Sequence, residues 1–184
     1  MVWRDRLGRV AAFNLAHRSG TEGWMGPIAV RPELQGRGLG SAVVRAAIDW
    51  LRRAGARTIG LETMPRTVEN IGFYGRLGFE PGALTITLAQ EVPRRAARLP
   101  ERLGALARPG PAAAECQALL TALAPGLDFS REIRLTREHG VGDVSLVRRG
   151  RRLVGWALWH SAPLAEGRPG DETRVLKVVA EDDA

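Results

Sequence analysis

The residues best suited to chemistry form a glycine-rich turn at positions 35–41, which reads Gln-Gly-Arg-Gly-Leu-Gly-Ser. An apolar run precedes the turn, and an amphipathic helix pattern begins within it at Leu39. The first turn of a helix has backbone N–H groups without intrahelical partners, and the helix dipole adds partial positive charge there. Because glycine carries no Cβ, an anion can approach such a backbone closely. The stretch therefore predicts an anion site, best suited to a phosphate or a pyrophosphate.

Two well-known phosphate-binding patterns fit this turn poorly. A P-loop requires a lysine directly after its last glycine, but Ser41 follows Gly40 here. The dinucleotide-binding fingerprint requires a glycine or an alanine at the position that Ser41 holds. A tight strand-to-helix turn that binds no ligand stays open as the alternative for the glycines alone.

Two further residues that could take part in chemistry lie later in the chain. Asn70 and Tyr74 are four positions apart, so they share one face of a helix. Gly78 stands where a glycine would end that helix, and Phe79 begins the next apolar segment. A half-buried aromatic of purely structural role stays open as the alternative for Tyr74.

The elements that must position these residues follow from hydrophobic periodicity. Residues 28–30 predict a buried strand that enters the turn, and residues 58–63 predict a strand between the two helices. The helix after the turn has apolar residues at helical spacing, namely Leu39, Val43, Ala47, Trp50, Leu51 and Ala54. The predicted order is thus strand, glycine-rich turn, helix, strand and helix.

Together, the two motifs resemble those of the Gcn5-related N-acetyltransferase (GNAT) family. Gln35, Gly38 and Gly40 fill the defined positions of its motif A, Gln/Arg-x-x-Gly-x-Gly/Ala, and residues 70–79 resemble its motif B. The motifs and the elements between them stand in the family's order and spacing. The resemblance implies an α/β fold with a mixed α+β sheet, the GNAT-like acyl-CoA N-acyltransferase fold.

The resemblance also implies a function and a site. It implies an acetyl-CoA-dependent N-acetyltransferase, in which a primary amine attacks the thioester of acetyl-CoA directly, with acetyl-CoA as co-substrate and without a metal. Tyr74 is the implied catalytic residue, which protonates the departing thiolate. The implied cofactor-binding residues are Ile28, Ala29, Val30, Gln35, Gly36, Arg37, Gly38, Leu39, Gly40, Ser41, Asn70 and Tyr74. A catalytically silent CoA-binding or protein-interaction module stays open as the alternative function.

The implied chemistry also needs an oxyanion donor and a base. A backbone N–H near Val30, where the family's strand splays from its neighbour, is the implied donor. Glu62, Glu22 and His17 are the candidate bases. For the two carboxylates, a solvated loop position without a chemical role stays open as the alternative.

The domain organisation is predicted from the same resemblance and from an internal repeat. Residues 6–17 and 149–160 share a turn, a strand and a terminal histidine. The chain therefore resembles the middle of a tandem GNAT protein, the C-terminal part of one domain followed by the N-terminal part of a second. The predicted parts are a GNAT domain with motifs A and B but without its first strand and helices over 1–92, a linker over 93–111, and a partial second GNAT-like domain without motif A over 112–184. Whether the parts dock as one permuted unit stays open.

Other elements are predicted by periodicity and by turn residues. The predicted strands cover 10–17, 24–30, 83–92, 143–148, 152–160 and 173–180. The predicted helices of the second half cover 112–124 and 131–138.

Composition bounds the remaining alternatives. The net charge is +7, but Lys177 is the only lysine and the arginines are scattered or paired without interleaved aromatics, which argues against a nucleic-acid partner. The single cysteine, Cys116, rules out an internal disulfide. No apolar run is long enough for a membrane span and residues 1–10 lack the apolar core of a signal peptide, so the cytoplasm is the expected location. The expected partner is a small-molecule or peptide amine acceptor, no membrane is expected, and a homodimer stays open.

Overall fold

The structure is a computed structural model, and it describes residues 1–64, 66–83, 85, 88–91, 103–105, 111–163 and 172–181. The chain divides into two compact units, Met1–Ala89 and Gln90–Ala184, here named the first unit and the second unit. Within the described residues, each unit contains one four-stranded β-sheet and two α-helices. The predicted α/β fold class is therefore confirmed.

The first unit is built on a mixed sheet. Its elements are β1 (Val2–Arg4), β2 (Val10–Ser19), β3 (Glu22–Val30), α1 (Leu39–Arg53), β4 (Thr58–Leu61) and α2 (Val68–Gly75). The strand order is β1-β2-β3-β4, with β1, β2 and β3 antiparallel and β4 parallel to β3. A parallel pair needs a crossover connection, and α1 supplies it between β3 and β4.

The helix α1 covers one face of this sheet because its apolar residues recur on a single side. Val44, Ala47 and Leu51 of α1 are fully buried and pack with Met25 of β3. Gly23 of β3 leaves room for this contact, because a Cβ at that position would lie 2.9 Å from Leu51 Cδ2. The helix is therefore held close against the middle of the sheet.

The strands β3 and β4 separate part-way along their length. Their parallel register runs from Glu22 opposite Thr58 to Met25 opposite Leu61. β4 ends there, whereas β3 continues to Val30. Among the described residues, the last five of β3 therefore have a sheet neighbour on one edge only.

The second unit is antiparallel throughout. Its elements are β5 (Leu103–Ala105), α3 (Pro111–Leu123), α4 (Ser130–Glu138), β6 (Gly142–Arg149), β7 (Arg152–His160) and β8 (Arg174–Ala180), and the strand order is β5-β6-β7-β8. Its core joins Cys116 and Leu120 of α3 and Ile133 of α4 to Trp156 and Leu158 of β7. The Trp156 Nε1–H donates a hydrogen bond to the Cys116 carbonyl oxygen at 3.1 Å, so the buried indole keeps a polar partner.

Two segments differ from the sequence-based predictions. The predicted linker over 93–111 contains the strand β5, which pairs with β6. The strand predicted over 83–92 falls partly on residues outside the described ones, and the described positions 83, 85 and 88–91 belong to no strand. The predicted domain boundaries and the GNAT-like nature of the second unit stay predictions. No helix in the described part of the chain is long and apolar enough to span a membrane.

Candidate functional site

A cavity of about 440 Å³ opens in the first unit beside the end of β3. Small-molecule sites commonly enclose roughly 300–1,000 Å³. The lining comes from β3, the glycine-rich turn, α1 and α2, through Ile28, Ala29, Val30, Gln35, Gly36, Gly38, Gly40, Ser41, Asn70, Phe73 and Tyr74. Every predicted binding residue except Arg37 and Leu39 therefore lies at one cavity.

The glycine-rich turn has a backbone that favours glycine. Gly36 and Gly38 have φ values of +73° and +79°, and no atom lies within 4 Å of where a Cβ would stand on either. Gly38 is the N-cap of α1, and no side chain caps the helix at this position. The N–H groups of the first helical turn therefore keep their donor capacity for solvent or for a ligand.

The end of β3 presents backbone groups to the side away from β2. Ala29 stands opposite Phe13 in the antiparallel ladder with β2. The Arg31 N–H donates to the Ala11 carbonyl oxygen at 2.9 Å. Because backbone groups alternate along a strand, Ala29 and Arg31 face β2 whereas Val30 faces the opposite edge. β4 ends before this level, so no described strand pairs with Val30 there.

Gln35 connects the turn to this free edge. Its side-chain Nε2 donates a hydrogen bond to the Val30 carbonyl oxygen at 3.0 Å. Its backbone N–H donates to the Pro32 carbonyl oxygen at 3.1 Å. The side chain that the motif predicts to bind a cofactor is thus engaged with the protein backbone.

Phe73 of α2 is the cavity residue that the sequence did not reveal. A Cβ on Gly40 would lie 3.5 Å from Phe73 Cζ and 3.8 Å from Val30 Cγ2. A Cβ there would make only ordinary van der Waals contacts, so these distances place Gly40 directly against the wall formed by Phe73 and Val30. The available signal was an aromatic next to Tyr74 in an apolar helix, and this does not distinguish a cavity wall from a core residue.

Tyr74 is half-buried among aromatic rings. Its ring centroid lies 5.0 Å from that of Phe73 and 6.0 Å from that of Phe79, both in edge-to-face geometry. Burial raises the pKa of Tyr74 above its usual value. The phenol is therefore protonated at neutral pH and can donate a proton or a hydrogen bond into the cavity.

The other predicted binding residues take different positions. Asn70 lies in the first turn of α2, and its Nδ2 donates to Thr63 Oγ1 at 3.4 Å, which ties α2 to the segment after β4. Arg37 is exposed at the tip of the turn, and Leu39 is the half-buried first residue of α1. These last two are absent from the cavity lining.

The candidate bases lie at different ends of the sheet. Glu22 is the first residue of β3, and His17 pairs with Trp24 near the same end. A strand rises about 3.3 Å per residue, which puts Glu22 roughly 26 Å from Val30. Glu62 is exposed and directly follows the end of β4. The topology therefore leaves Glu62 as the candidate nearest to the cavity.

These groups form a coherent chemical set. The start of α1 can bind an anion, the free edge of β3 can pair with an extended chain that contains amide groups, and Tyr74 can donate a proton. In the described part of the chain, no group of three His, Cys, Asp or Glu side chains is placed to hold a metal ion.

Comparison with known proteins matches the same part of the chain. Residues 2–79 match the model of the Acetyltransferase (GNAT) family. The ribosomal protein bS18-alanine N-acetyltransferase of Escherichia coli (strain K12) is 34% identical over 77 residues, which are 42% of this chain and 52% of that protein. The N-alpha-acetyltransferase 30 of Schizosaccharomyces pombe is 32% identical over 74 residues, which are 40% of this chain and 49% of that protein.

A solved structure shows a similar partial match. The crystal structure of the ribosomal-protein-S18-alanine N-acetyltransferase from Escherichia coli is 33% identical, covers 43% of this chain and 51% of that chain, and has a TM-score of 0.41. The chain spans about half the length of these relatives. The residues that the family model matches include the glycine-rich turn and α2. Residues 2–79 are thus similar to the GNAT family of acetyltransferases, and they belong to the unit that holds the cavity.

Proposed function

We propose that the first unit binds acetyl-CoA and transfers its acetyl group to a primary amine. The observation that carries this proposal is the cavity at the end of β3, because the glycine-rich turn and Tyr74 both line it. Along the chain, α1 and β4 separate these two features. The relatives named above are N-acetyltransferases, which supports the reaction class.

The cavity has a suitable group for each part of the co-substrate. The first-turn N–H groups at Leu39, Gly40 and Ser41 bind the pyrophosphate, where Gly38 leaves the approach open. The free edge of β3 pairs with the amide groups of the pantetheine arm, as an added strand would. Asn70 lies beside this arm on α2.

The chemical step is a direct transfer. The lone pair of the amine attacks the thioester carbonyl carbon, and the Val30 N–H stabilises the negative charge that develops on the carbonyl oxygen. The carbon–sulfur bond breaks, and Tyr74 donates its phenolic proton to the departing thiolate. The nitrogen loses one proton on acylation, which passes to solvent, and the phenolate takes up a proton from solvent to restore Tyr74. The products are the acetylated amine and the free thiol of CoA.

The acceptor must reach the cavity as a neutral amine. Glu62 is the proposed base, because its place directly after β4 makes it the candidate nearest to the cavity. It is also open to solvent for proton exchange. Glu62→Gln should lower the rate at pH 7 and lower it less at pH 9, where more of the acceptor is already neutral. An equal loss at both pH values would contradict a role as base.

The proposed acceptor class is a primary amine on a peptide or a small molecule. One relative is named for acetylating an alanine of a ribosomal protein, and another is named an N-alpha-acetyltransferase. Peptides with an N-terminal alanine are therefore the first acceptors to test, followed by small amines. Release of the CoA thiol reports turnover with any of them.

Calorimetric titration with acetyl-CoA tests the binding site before an acceptor is known. Gly38→Glu should reduce affinity roughly 100-fold or more, because it adds a carboxylate at the anion site and strains the turn. Gly8→Glu is the matched control, since Gly8 has φ +76° and open surroundings in another turn of the same unit. Absence of binding by the folded wild type, or an equal loss in both variants, would contradict the proposal.

A further inference from the structure

On the edge that faces away from β2, the end of β3 has no strand neighbour among the described residues, and the proposed reaction needs a fixed donor there. β4 pairs with β3 only as far as Met25, and Val30 lies five residues beyond that point. A backbone segment with few hydrogen-bond partners opens and rotates more easily than one paired on both edges. The direction of the Val30 N–H therefore needs another source of support.

One side chain supplies that support. Gln35 Nε2 donates to the Val30 carbonyl oxygen at 3.0 Å. Within a strand, the carbonyl and the N–H of one residue lie on the same edge, so a bond to the carbonyl also fixes the direction of the N–H. Gln35 is anchored in turn, because its backbone N–H donates to the Pro32 carbonyl oxygen at 3.1 Å.

We propose that Gln35 is a positioning residue, which replaces the missing strand at Val30 and aims the Val30 N–H at the carbonyl oxygen of the acetyl group. This inference rests on the proposed function. It differs from a direct contact between Gln35 and the co-substrate, because the amide acts through the backbone of β3. The glycine-rich turn then has two tasks, which are to bind the anion and to hold the donor.

The chemistry of the side chain separates these roles. Gln35→Leu keeps a side chain of comparable volume but removes the amide donor, and Gln35→Glu places an acceptor-only carboxylate against the Val30 carbonyl. Gln35→Arg restores N–H donors. Gln117→Leu is the matched control, because Gln117 Nε2 donates to the Leu127 carbonyl oxygen at 2.9 Å in the second unit.

The test compares two ligands on the full chain. The acetyl carbonyl is present in acetyl-CoA and absent from CoA, so the ratio of the two dissociation constants reports on the Val30 N–H. Gln35→Leu and Gln35→Glu should weaken acetyl-CoA relative to CoA by roughly three- to tenfold. Gln35→Arg should restore the ratio, and Gln117→Leu should leave it unchanged. In the wild type, the carbonyl carbon of bound acetyl-CoA labelled with ¹³C should shift downfield, and this shift should shrink in the Leu and Glu variants.

The outcomes separate this inference from the proposed function. Equal weakening of both ligands in Gln35→Leu, an unchanged ¹³C shift, or failure of Gln35→Arg to restore the ratio would overturn the positioning role. Binding by the wild type with the same ratio in every variant would overturn this inference alone. Absence of binding by the folded wild type would overturn the proposed function and this inference with it.

Discussion

The two units place their helices on opposite faces of the strands that the predicted internal repeat aligns. By the internal repeat, β2 of the first unit corresponds to β7 of the second. In the first unit, Asn14 and Ala16 of β2 lie on the face that α1 covers, where Ala16 packs against the cluster of Met25 and the buried α1 residues. The alternate face carries Leu15, which is 52% exposed. In the first unit, the helix therefore covers the face of β2 that carries the small residues.

In the second unit, the helices cover the face of β7 that corresponds to the uncovered face of β2. Trp156 and Leu158 of β7, at the positions of Phe13 and Leu15, are 2% and 1% exposed beneath α3 and α4. The residue at the position of Ala16 is Trp159, which lies on the opposite face and donates from Nε1 to Ser145 Oγ at 3.0 Å. Similar strand patterns can therefore support different layers, and side-chain size decides which face accepts a helix closely.

The difference also locates the candidate site. In the first unit, β3 leads through the glycine-rich turn into α1, which packs on the small-residue face. In the second unit, the described residues contain no helix after β8. The proposed anion site thus depends on the arrangement of α1, and the repeated strands alone would not create it.

The largest expected effect comes from truncating the matched aromatics. Trp156→Ala should lower the free energy of unfolding of the second unit by about 3–5 kcal/mol, because it empties a buried position. Phe13→Ala should cost the first unit only about 1 kcal/mol, because Phe13 lies on the face without α1 and is incompletely buried. Hydrogen exchange resolved by peptide measures each sheet separately. Equal losses would show that the two faces do not differ as described.

The next effect concerns the phenol, which only the first unit carries. Tyr74→Phe should lower kcat roughly 100-fold with little change in KM, because it removes the proton donor. Burial raises the pKa of Tyr74 above the ordinary tyrosine value of about 10. The wild-type rate should therefore be lost only at a pH above that ordinary value. CoA-thiol release measures both quantities. Trp159→Phe should leave the rate unchanged, and an unchanged rate in Tyr74→Phe would refute the role of the phenol.

A smaller effect follows from exchanging the residues of the opposed faces. Ala16→Trp introduces into the first unit the residue found at the aligned position of the second. It should destabilise the first unit by about 1–3 kcal/mol, because α1 leaves no room for an indole. Trp159→Ala is the reverse exchange. It should lower the free energy of unfolding of the second unit by about 1 kcal/mol, chiefly through loss of the hydrogen bond to Ser145. Urea unfolding followed by circular dichroism compares them. A larger loss from Trp159→Ala would reverse the assignment of the covered faces.

The smallest effect concerns the terminal histidines of the repeat. Burial, and then the charge of Arg174, lower the pKa of His160, which shares a 2.8 Å hydrogen bond with Thr136. As the pH falls below about 6.5, the unfolded chain takes up a proton before the folded chain does. The second unit should therefore lose stability between that pH and the lower pKa of folded His160.

The matched substitutions test this pH dependence. His160→Asn should remove it, whereas His17→Asn at the corresponding exposed position of the first unit should leave it in place. Thermal unfolding between pH 5 and pH 8, chosen to bracket the ordinary histidine pKa of about 6.5, measures the slope. An unchanged slope in His160→Asn would assign the effect to another group.

Local signals predicted the parts of the site that depend on neighbouring residues. The turn and the start of α1 follow from the glycines and from helical periodicity, and the cavity gathers Gln35, Gly38 and Tyr74 as their motifs suggest. The role of each residue stays a prediction. Phe73 was not recognised, because its place in the wall depends on how α2 lies against Gly40.

Long-range pairing explains the other differences. β5 is only three residues long and is defined by pairing with β6, so the sequence contains no periodicity to reveal it. Gln35 was expected to contact the cofactor, and its bond to Val30 becomes visible only once β4 is seen to end early. Glu22 was a candidate base, but it lies at the far end of the strand that reaches the cavity.

The most direct test of the account is hydrogen exchange of the full chain with and without acetyl-CoA. We expect protection confined to the end of β3, the glycine-rich turn and α2, at residues 28–41 and 68–75, with no change in β6, β7 or β8. Protection centred on the second unit, or none at saturating ligand, would contradict the claim that the α1 face of the first unit forms the acetyl-CoA site.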